Sequence, residues 1–180
     1  MDWLLSEHLI LRAVEPEDAH FMNHAECDPL NIAFNGYTAP LSLQQLIDYS
    51  LTYDADPFRS RQIRLIACNI DSRIPVGIFD LTEIDQRAAH AFVGIYVSPD
   101  FRESGLGKEM LFLGERYADQ VLRLSTLAAK IASDNQISIK LFKKAGYILN
   151  GVLQNWIYSP LSISQIDMYL FQKLLSRDLP

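Results

Sequence analysis

The chain has 180 residues, enough for one domain with its own hydrophobic core. Hydrophobic residues make up 49% and charged residues 21%, as in folded globular proteins, which excludes a disordered chain. The formal net charge of −6 argues against a nucleic-acid partner, because such binding depends on neutralising phosphates. No apolar run reaches the length of about 18 residues that a membrane helix needs, and Met1–His8 does not resemble a secretory signal. We therefore expect a cytoplasmic protein without a membrane partner.

Apolar patterning predicts seven strands and four helices in one domain over residues 1–180. The strands are expected at Leu9–Val14, Ile63–Ile70, Val76–Leu81, Ala88–Val97, Ser125–Ile131, Tyr147–Leu153 and Ile166–Phe171. The helices are expected at Pro16–Glu26, Leu43–Tyr53, with Ser42 as N-cap, Gly105–Leu122, and Asn135–Ala145, with Gly146 as C-cap. This order predicts an α/β domain around a mixed sheet.

Two segments lack a periodic pattern and are expected to be loops. The first, Asp28–Pro40, contains Asn31, Asn35, Gly36 and Tyr37. The second lies between the last two strands and contains Trp156, Tyr158 and Pro160. The aromatic residues of the second loop could line a pocket or join a homodimer.

The most informative segment joins a strand to a helix through glycines. The apolar strand that ends at Val97 is stopped by Ser98-Pro99, and the pattern Arg102-x-x-Gly105-x-Gly107 then leads directly into a helix. Glycines let the backbone approach a bulky group, and the first N–H groups of a helix attract anions. Arg102 and Lys108 could add positive charge. The segment therefore predicts a phosphate cradle, although its spacing fits neither a Rossmann fingerprint nor a P-loop.

This segment resembles the acetyl-CoA-binding motif of the GNAT superfamily of N-acetyltransferases, [RQ]-x-x-G-x-[GA]. A second block, Ser133–Tyr147, is similar to the downstream pattern of that family, N-x-x-S-x-x-x-Y-x-K-x-G-[FY]. The order of elements also matches the family fold from Leu9 to Leu175. The resemblance implies a single α/β domain with a central mixed, mostly antiparallel sheet, a splayed strand pair and about four flanking helices.

The resemblance also implies how acetyl-CoA, the co-substrate, would be held. The pantetheine arm would lie against the main chain of Ile95, Tyr96 and Val97, and the N–H near Val97 would polarise the thioester carbonyl. The pyrophosphate would rest on the turn and helix start: Arg102, Glu103, Ser104, Gly105, Leu106, Gly107 and Lys108. Asn135 would reach the cofactor beside its acyl end, and Ser138 and Lys143 of the same block are further cofactor-binding candidates.

The sequence departs from the family at the usual proton donor. The position of the family tyrosine is Phe142, which has no proton to donate, and a glutamate found in other members corresponds to Lys130. The remaining acid or base candidates are Tyr147, which a packed aromatic position explains more simply, and Glu83, with Asp85 and His90 as weaker ones. His20 and His24 share a helix face but have no third ligand, so we expect no metal site.

These features favour an enzyme that transfers an acetyl group from acetyl-CoA to a primary amine by direct attack in a ternary complex. The acceptor could be a polyamine, an antibiotic, a protein N-terminus or an amino-sugar. An alternative is a degenerate acyl-CoA-binding regulatory module without turnover, which Phe142 and Lys130 would suit. A nucleotide-binding protein is disfavoured because the P-loop lysine pattern is missing.

Overall fold

The computed structural model describes residues 4–35 and 39–175. Seven strands lie in these residues: β1 Leu9–Ala13, β2 Ile63–Asn69, β3 Pro75–Asp85, β4 His90–Val97, β5 Thr126–Ala132, β6 Ile148–Ser159 and β7 Ser164–Leu174. The same residues form six α-helices: α1 Ala19–Cys27, α2 Pro29–Asn35, α3 Leu43–Thr52, α4 Pro57–Ser60, α5 Leu106–Gln120 and α6 Gln136–Lys144. Two short 3-10 turns, Pro16–Asp18 and Pro99–Phe101, precede α1 and α5.

The strands hydrogen-bond in the order β1-β2-β3-β4-β5-β7-β6. Strands β1 to β4 pair antiparallel with their neighbours, and β4 pairs parallel with β5. The sequence predicted an α/β fold around a mixed sheet, and the structure confirms it.

The chain groups into two compact units. The first contains the described residues within 1–14, 54–129 and 172–180, and the second those of 15–53 and 130–171. The first unit therefore holds β1 to β4, α4, α5 and the beginning of β5. The second holds α1 to α3, α6 and β6.

In the first unit α5 packs tightly against the sheet. A Cβ placed on Gly114 would overlap the ring of Phe79 on β3, so this position has room only for glycine. Met110, Leu111 and Leu113 of α5 are fully buried. Each such side chain contributes about 1.5–3 kcal/mol through burial. This packing holds α5 against the sheet, so the helix begins only a few residues after β4 ends.

In the second unit α1 packs against α3, with Met22 of α1 and Leu46 of α3 buried. Helix α3 begins at the predicted N-cap, because the Ser42 hydroxyl accepts a hydrogen bond from the N–H of Gln45 over 3.2 Å. The Gln45 side chain accepts one from the N–H of Ser42 in return, which completes a capping box.

The helices α2 and α4 were not predicted, and the expected loop Asp28–Pro40 is wrong over Pro29–Asn35. Both helices begin with the dipeptide Asp-Pro. Oδ1 of Asp28 accepts a hydrogen bond from the N–H of Leu30 over 2.9 Å, and Oδ1 of Asp56 caps the N–H groups of Phe58 and Arg59. Proline suits the first helical position because no hydrogen bond is lost there. The helices are too short to show a periodic pattern, so the expected number of about four was too low.

The expected loop around Trp156 and Tyr158 is also wrong, because both residues lie inside β6. That strand is long, and only Pro160–Ile163 separate it from β7. Gly36 and Tyr37, which were expected in the first loop, lie outside the described residues.

Candidate active site

The candidate site begins where β4 ends, and the main-chain groups there point in alternating directions. The N–H of Ser98 donates to the carbonyl of Val76 on β3 over 2.9 Å. Main-chain groups alternate sides along an antiparallel strand, so those of Tyr96 also face β3. Those of Ile95 and Val97 therefore face the opposite side. Of the three residues whose main chain was expected to contact pantetheine, only Ile95 and Val97 therefore have groups that point away from β3.

On that opposite side β4 pairs with β5 only over its first residues. The parallel ladder joins His90, Ala91 and Phe92 to Thr126–Ala128. Within residues 90–132 no pair between the two strands follows Phe92, although β4 continues to Val97. The far end of β4 therefore presents main-chain groups that neither neighbouring strand uses.

The turn after β4 is held by its own polar groups. The Nε of Arg102 donates to the carbonyl oxygen of Val97 over 3.0 Å, and its guanidinium carbon lies 5.8 Å from the centre of the Tyr96 ring. The Ser104 hydroxyl donates to the carbonyl of Phe101 over 2.5 Å. Arg102 therefore shapes the turn, a role that the sequence analysis did not assign to it.

The start of α5 has the backbone geometry that an anion cradle requires. Gly105 is the N-cap with φ 88°, a left-handed conformation that glycine adopts without strain, and no side chain caps the helix. The N–H groups of Lys108 and Glu109 bond the carbonyl of Gly105. Those of Leu106 and Gly107 come before the first helical acceptor and point out of the helix end, where the dipole favours negative charge. Glu103 also has a positive φ, 62°.

The second group of predicted residues lies in the other unit, at the start of α6. Oδ1 of Asn135 accepts a hydrogen bond from the N–H of Ser138 over 3.1 Å, so this side chain caps the helix. The cap uses only Oδ1, so the side-chain amide nitrogen of Asn135 is the group available to a cofactor. Lys143 is exposed in the last turn, about 12 Å further along the axis, and is not brought together with Asn135 and Ser138.

A half-buried hydrogen bond that sequence reasoning missed supports the segment before Asn135. The Ser159 hydroxyl donates to Oδ2 of Asp134 over 2.5 Å and accepts hydrogen bonds from the N–H groups of Leu161 and Ser162. Ser159 is buried. Oδ1 of Asp134 is buried as well and accepts no hydrogen bond from the described residues. Asp134 thus links the segment that precedes α6 to the turn between β6 and β7.

Phe142 and Tyr147 form one packed pair. Each is 3% exposed, and their ring centres lie 4.9 Å apart at an angle of 75°. Gly146, with φ 90°, ends α6 as predicted and allows the chain to turn back. An edge-to-face aromatic pair of this kind stabilises a core, so the structure favours packing as the role of Tyr147.

The acidic candidates at the end of β3 differ in their surroundings. Glu83 is exposed and has φ 51°, at an irregularity in the β3–β4 ladder. Asp85 accepts a hydrogen bond from the N–H of Ala88 over 2.8 Å, and this bond lowers the pKa of the Asp85 carboxyl. A less basic carboxylate is a poorer general base, and this weakens Asp85 as a candidate. His90 pairs with Asp85 across the same bend.

A further cluster next to the cradle was not predicted. Oε1 of Glu109, in the first turn of α5, accepts hydrogen bonds from the Ser6 hydroxyl over 2.5 Å and from the N–H of His8 over 2.9 Å. Nδ1 of His8 lies 3.2 Å from Oε2 of the same carboxylate. Burial alone would raise the pKa of Glu109, but these hydrogen bonds outweigh burial and hold the pKa below its usual range. The partners are about a hundred residues apart, so no local pattern signals the contact.

In residues 4–35 and 39–175 no three His, Cys, Asp or Glu side chains stand close enough to hold a metal ion. Among the helices of these residues, none is long and apolar enough to cross a membrane.

Comparisons with known proteins agree with this geometry. Residues 8–148 match the family model described as an acetyltransferase (GNAT) domain. The chain is 25% identical over 155 residues to the uncharacterized N-acetyltransferase YoaA of Bacillus subtilis, covering 86% of this chain and 88% of that protein. It is 23% identical over 146 residues to spermidine N(1)-acetyltransferase of Escherichia coli, covering 81% and 75%. The structure of spermidine N-acetyltransferase from Vibrio cholerae in complex with CoA and spermine has a TM-score of 0.84 at 18% identity, covering 94% and 96%.

The sheet, the exit of β4 and the glycine-capped helix define an α/β acyltransferase fold. The chain belongs to the GNAT acetyltransferase family and is an N-acetyltransferase. The predictions of family, fold class and enzyme class are confirmed.

Proposed function

We propose that this N-acetyltransferase moves an acetyl group from acetyl-CoA to the primary amine of a small molecule, or to a protein N-terminus, by direct attack in a ternary complex. The observation that carries the proposal is the end of β4. Its main chain at Ile95 and Val97 is not used by either neighbouring strand, and it leads through Gly105 into a helix start that no side chain caps. One continuous segment thus offers contacts for amides and for phosphates.

The residues present fit acetyl-CoA. The open N–H groups at Leu106 and Gly107 suit a pyrophosphate. Apart from the two neighbouring residues, no described residue has an atom within 4 Å of where a Cβ of Gly105 would be, so a phosphate has room to approach. The exposed ammonium of Lys108 adds positive charge at the same end of the helix. Acetyl-CoA would supply the reactive thioester.

The N–H of Val97 would donate to the carbonyl oxygen of that thioester. As the amine nitrogen bonds to the carbonyl carbon, negative charge develops on this oxygen, and a positioned donor there is worth about 2.7–4 kcal/mol. The carbon–sulfur bond then breaks, the thiolate leaves, and the nitrogen gives a proton to water as the amide forms. The thiolate can take up a proton from water, so Phe142 does not prevent the reaction.

The names of the relatives and the net charge of the chain both support one class of acceptor. The Escherichia coli relative is named for spermidine, and the Vibrio cholerae structure contains spermine. The net charge of −6 suits a cationic acceptor, because opposite charge raises its rate of encounter. We therefore place polyamines first among the acceptors, ahead of amino-sugars, antibiotics and protein N-termini.

An acceptor screen tests the proposal. The protein is incubated with acetyl-CoA and with spermidine, spermine, an aminoglycoside, glucosamine or a peptide with a free N-terminus. Free thiol is measured with time, and mass spectrometry identifies the acetylated product. We expect thiol release that depends on one amine class, with the acetyl group on nitrogen. The matched control replaces the amine of the best acceptor by a hydroxyl and should abolish turnover.

Binding and turnover are measured separately in the same samples. Acetyl-CoA that raises the melting temperature without thiol release for any amine would support the regulatory module instead. Absence of both binding and release would contradict the assignment of the β4 exit as the cofactor site.

A further inference from the structure

The segment that leads into α6 is anchored to the last two strands at two points. The N–H of Ser133 donates to the carbonyl oxygen of Asp167 on β7 over 2.9 Å. Oδ2 of Asp134 accepts a hydrogen bond from the hydroxyl of Ser159, the last residue of β6, over 2.5 Å. Two consecutive residues are therefore fixed to two different strands, and Asn135 follows them immediately.

Asn135 itself forms a tight turn directly after the second anchor. It has φ −79° and ψ 70°, and the N–H of Gln136 donates to the carbonyl oxygen of Asp134 over 2.9 Å. This is an inverse γ-turn, in which a hydrogen bond closes around a single central residue. An N-cap residue usually has an extended backbone instead. Because only one residue lies inside the turn, a shift of Asp134 moves Asn135 with it.

The α6 cap sets the direction of the Asn135 side chain. Its Oδ1 accepts a hydrogen bond from the N–H of Ser138 over 3.1 Å. The carboxamide group is planar, and its nitrogen carries both of its donors. With Oδ1 held in the cap, the place of the amide nitrogen is fixed as well. That place depends on Ser138 on one side of the turn and on Asp134 on the other.

The surroundings of Asp134 indicate a role other than stability. Its Oδ1 is buried, and no described residue donates a hydrogen bond to it. A buried carboxylate oxygen without a donor lowers the stability of the fold. The main chain of Ser133 already attaches the same segment to β7 without this disadvantage. Polar groups that break the rule of satisfied burial are found above all at functional sites.

We propose that Asp134 is a positioning residue for acetyl-CoA. Through its hydrogen bond with Ser159 it holds Asn135 where the side-chain amide nitrogen can donate to the cofactor. Ser159 is only 3% exposed, so it acts through Asp134 and does not contact a ligand itself. The inference rests on the proposed function, because it requires acetyl-CoA as the ligand and Asn135 as one of its contacts.

The same hydrogen bond makes the β6–β7 turn part of the cofactor site. The Ser159 hydroxyl oxygen accepts hydrogen bonds from the N–H groups of Leu161 and Ser162 over 3.2 and 3.3 Å. One hydroxyl therefore organises the turn and orients the segment before α6. Loss of this hydroxyl should be detected as weaker binding of acetyl-CoA, although Ser159 lies 24 positions after Asn135 in the chain.

Calorimetric titration of the full chain with acetyl-CoA tests the inference. Asp134→Ala and Ser159→Ala remove the same hydrogen bond from opposite sides. Each should raise the Kd about tenfold, the effect typical of losing a group that orients a binding residue. The double variant should bind no more weakly than the weaker single variant, because both changes break one link. The matched control is Ser162→Ala, an exposed serine of the same turn, which should keep the Kd within about twofold.

A second background separates positioning from a general loss of structure. If Asp134 acts through Asn135, Asp134→Ala should change the Kd of the Asn135→Ala protein by less than about twofold. A merely structural role would weaken binding equally in both backgrounds. Far-ultraviolet circular dichroism shows that each variant is folded at the temperature of titration. If an alanine variant does not fold, Ser159→Cys replaces it, and its weaker thiol donor should raise the Kd at least about threefold.

The outcomes distinguish this inference from the proposed function. A wild type that binds acetyl-CoA and transfers the acetyl group, with an Asp134→Ala variant of unchanged Kd, would overturn the positioning role alone. Equal weakening with and without the Asn135 side chain would also overturn that role and leave the proposed function intact. A wild type that does not bind acetyl-CoA would overturn both.

Discussion

The Nε of Arg102 lies 3.0 Å from the carbonyl oxygen of Val97 and donates a hydrogen bond to it. This bond joins the first residue of the glycine motif to the last residue of β4. Arg102 therefore stabilises the turn even when no anion is bound, whereas the sequence motif predicts only that it adds positive charge to the phosphate site. The two roles can be measured separately.

We expect Arg102→Ala to lower the melting temperature of the ligand-free protein, because a hydrogen bond from a charged group is lost. At a half-exposed site the loss is roughly 1 kcal/mol, or about 2–4 °C for a chain of this size. Lys108→Ala is the control, since it removes an exposed charge near the same helix start. Both variants should bind acetyl-CoA more weakly, but only Arg102→Ala should melt early without it. Equal melting temperatures of the two ligand-free variants would mean that Arg102 only binds phosphate and does not stabilise the turn.

A second prediction separates charge from backbone strain at Gly105. Its φ of 88° strains any side chain, but apart from the two neighbouring residues no described residue has an atom within 4 Å of the Cβ position. Gly105→Asn and Gly105→Asp have the same shape and should lose similar stability, about 1–2 kcal/mol. Only the aspartate repels a phosphate, so we expect its affinity for acetyl-CoA to be at least tenfold lower than that of the asparagine variant. Calorimetric titration measures both. Equal affinities would mean that the phosphates bind elsewhere.

A third prediction concerns the acid stability of the first unit. The pKa of Glu109 is lower in the folded state, so its hydrogen bonds from Ser6 and His8 stabilise the fold above the ordinary pKa of 4.5. That stability is lost as the pH falls below 4.5 through the folded pKa. Glu109→Gln should therefore be less stable than the wild type at pH 7, by roughly 1 kcal/mol, and the difference should shrink towards pH 3. Urea unfolding at pH 7, 5, 4 and 3 measures it. A difference that does not change with pH would exclude the carboxylate as its source.

Much of this site could be predicted because its signals are local. The strand end at Val97, the glycine turn and the start of α6 near Asn135 each depend on a few consecutive residues, although the capping role of Asn135 was not predicted. The direction of the Ile95 and Val97 main chain could not be predicted, since it depends on the register with β3. Likewise, Ser6 and Glu109 are 103 positions apart and Asp134 and Ser159 are 25 apart, and such contacts arise only when the chain folds. Both Asp-Pro helix starts were visible in the sequence, but the helices were too short for periodicity to support them.

The last prediction is that no single side chain is indispensable as the acid or base. Holding the amine and the thioester together supplies about 7–11 kcal/mol, and one oxyanion donor about 2.7–4 kcal/mol. Proton transfer by a side chain typically contributes only about 10²–10⁴-fold. Together the first two contributions exceed the third, so the enzyme can lose the third, and Phe142 suggests that it has lost part of it.

We therefore expect Tyr147→Phe, Glu83→Gln and His90→Gln each to lower kcat by less than about a hundredfold. Tyr147→Phe keeps the aromatic pair with Phe142 and so serves as its own packing control. Asn135→Ala should instead weaken acetyl-CoA binding as well as lower the rate, because it removes both the α6 cap and the amide. Steady-state rates with the acceptor found by the screen measure kcat, and acetyl-CoA titrations measure the affinity for the cofactor. If one of the three substitutions abolishes transfer while acetyl-CoA binds normally, that residue is the acid or base, and catalysis by positioning alone is wrong.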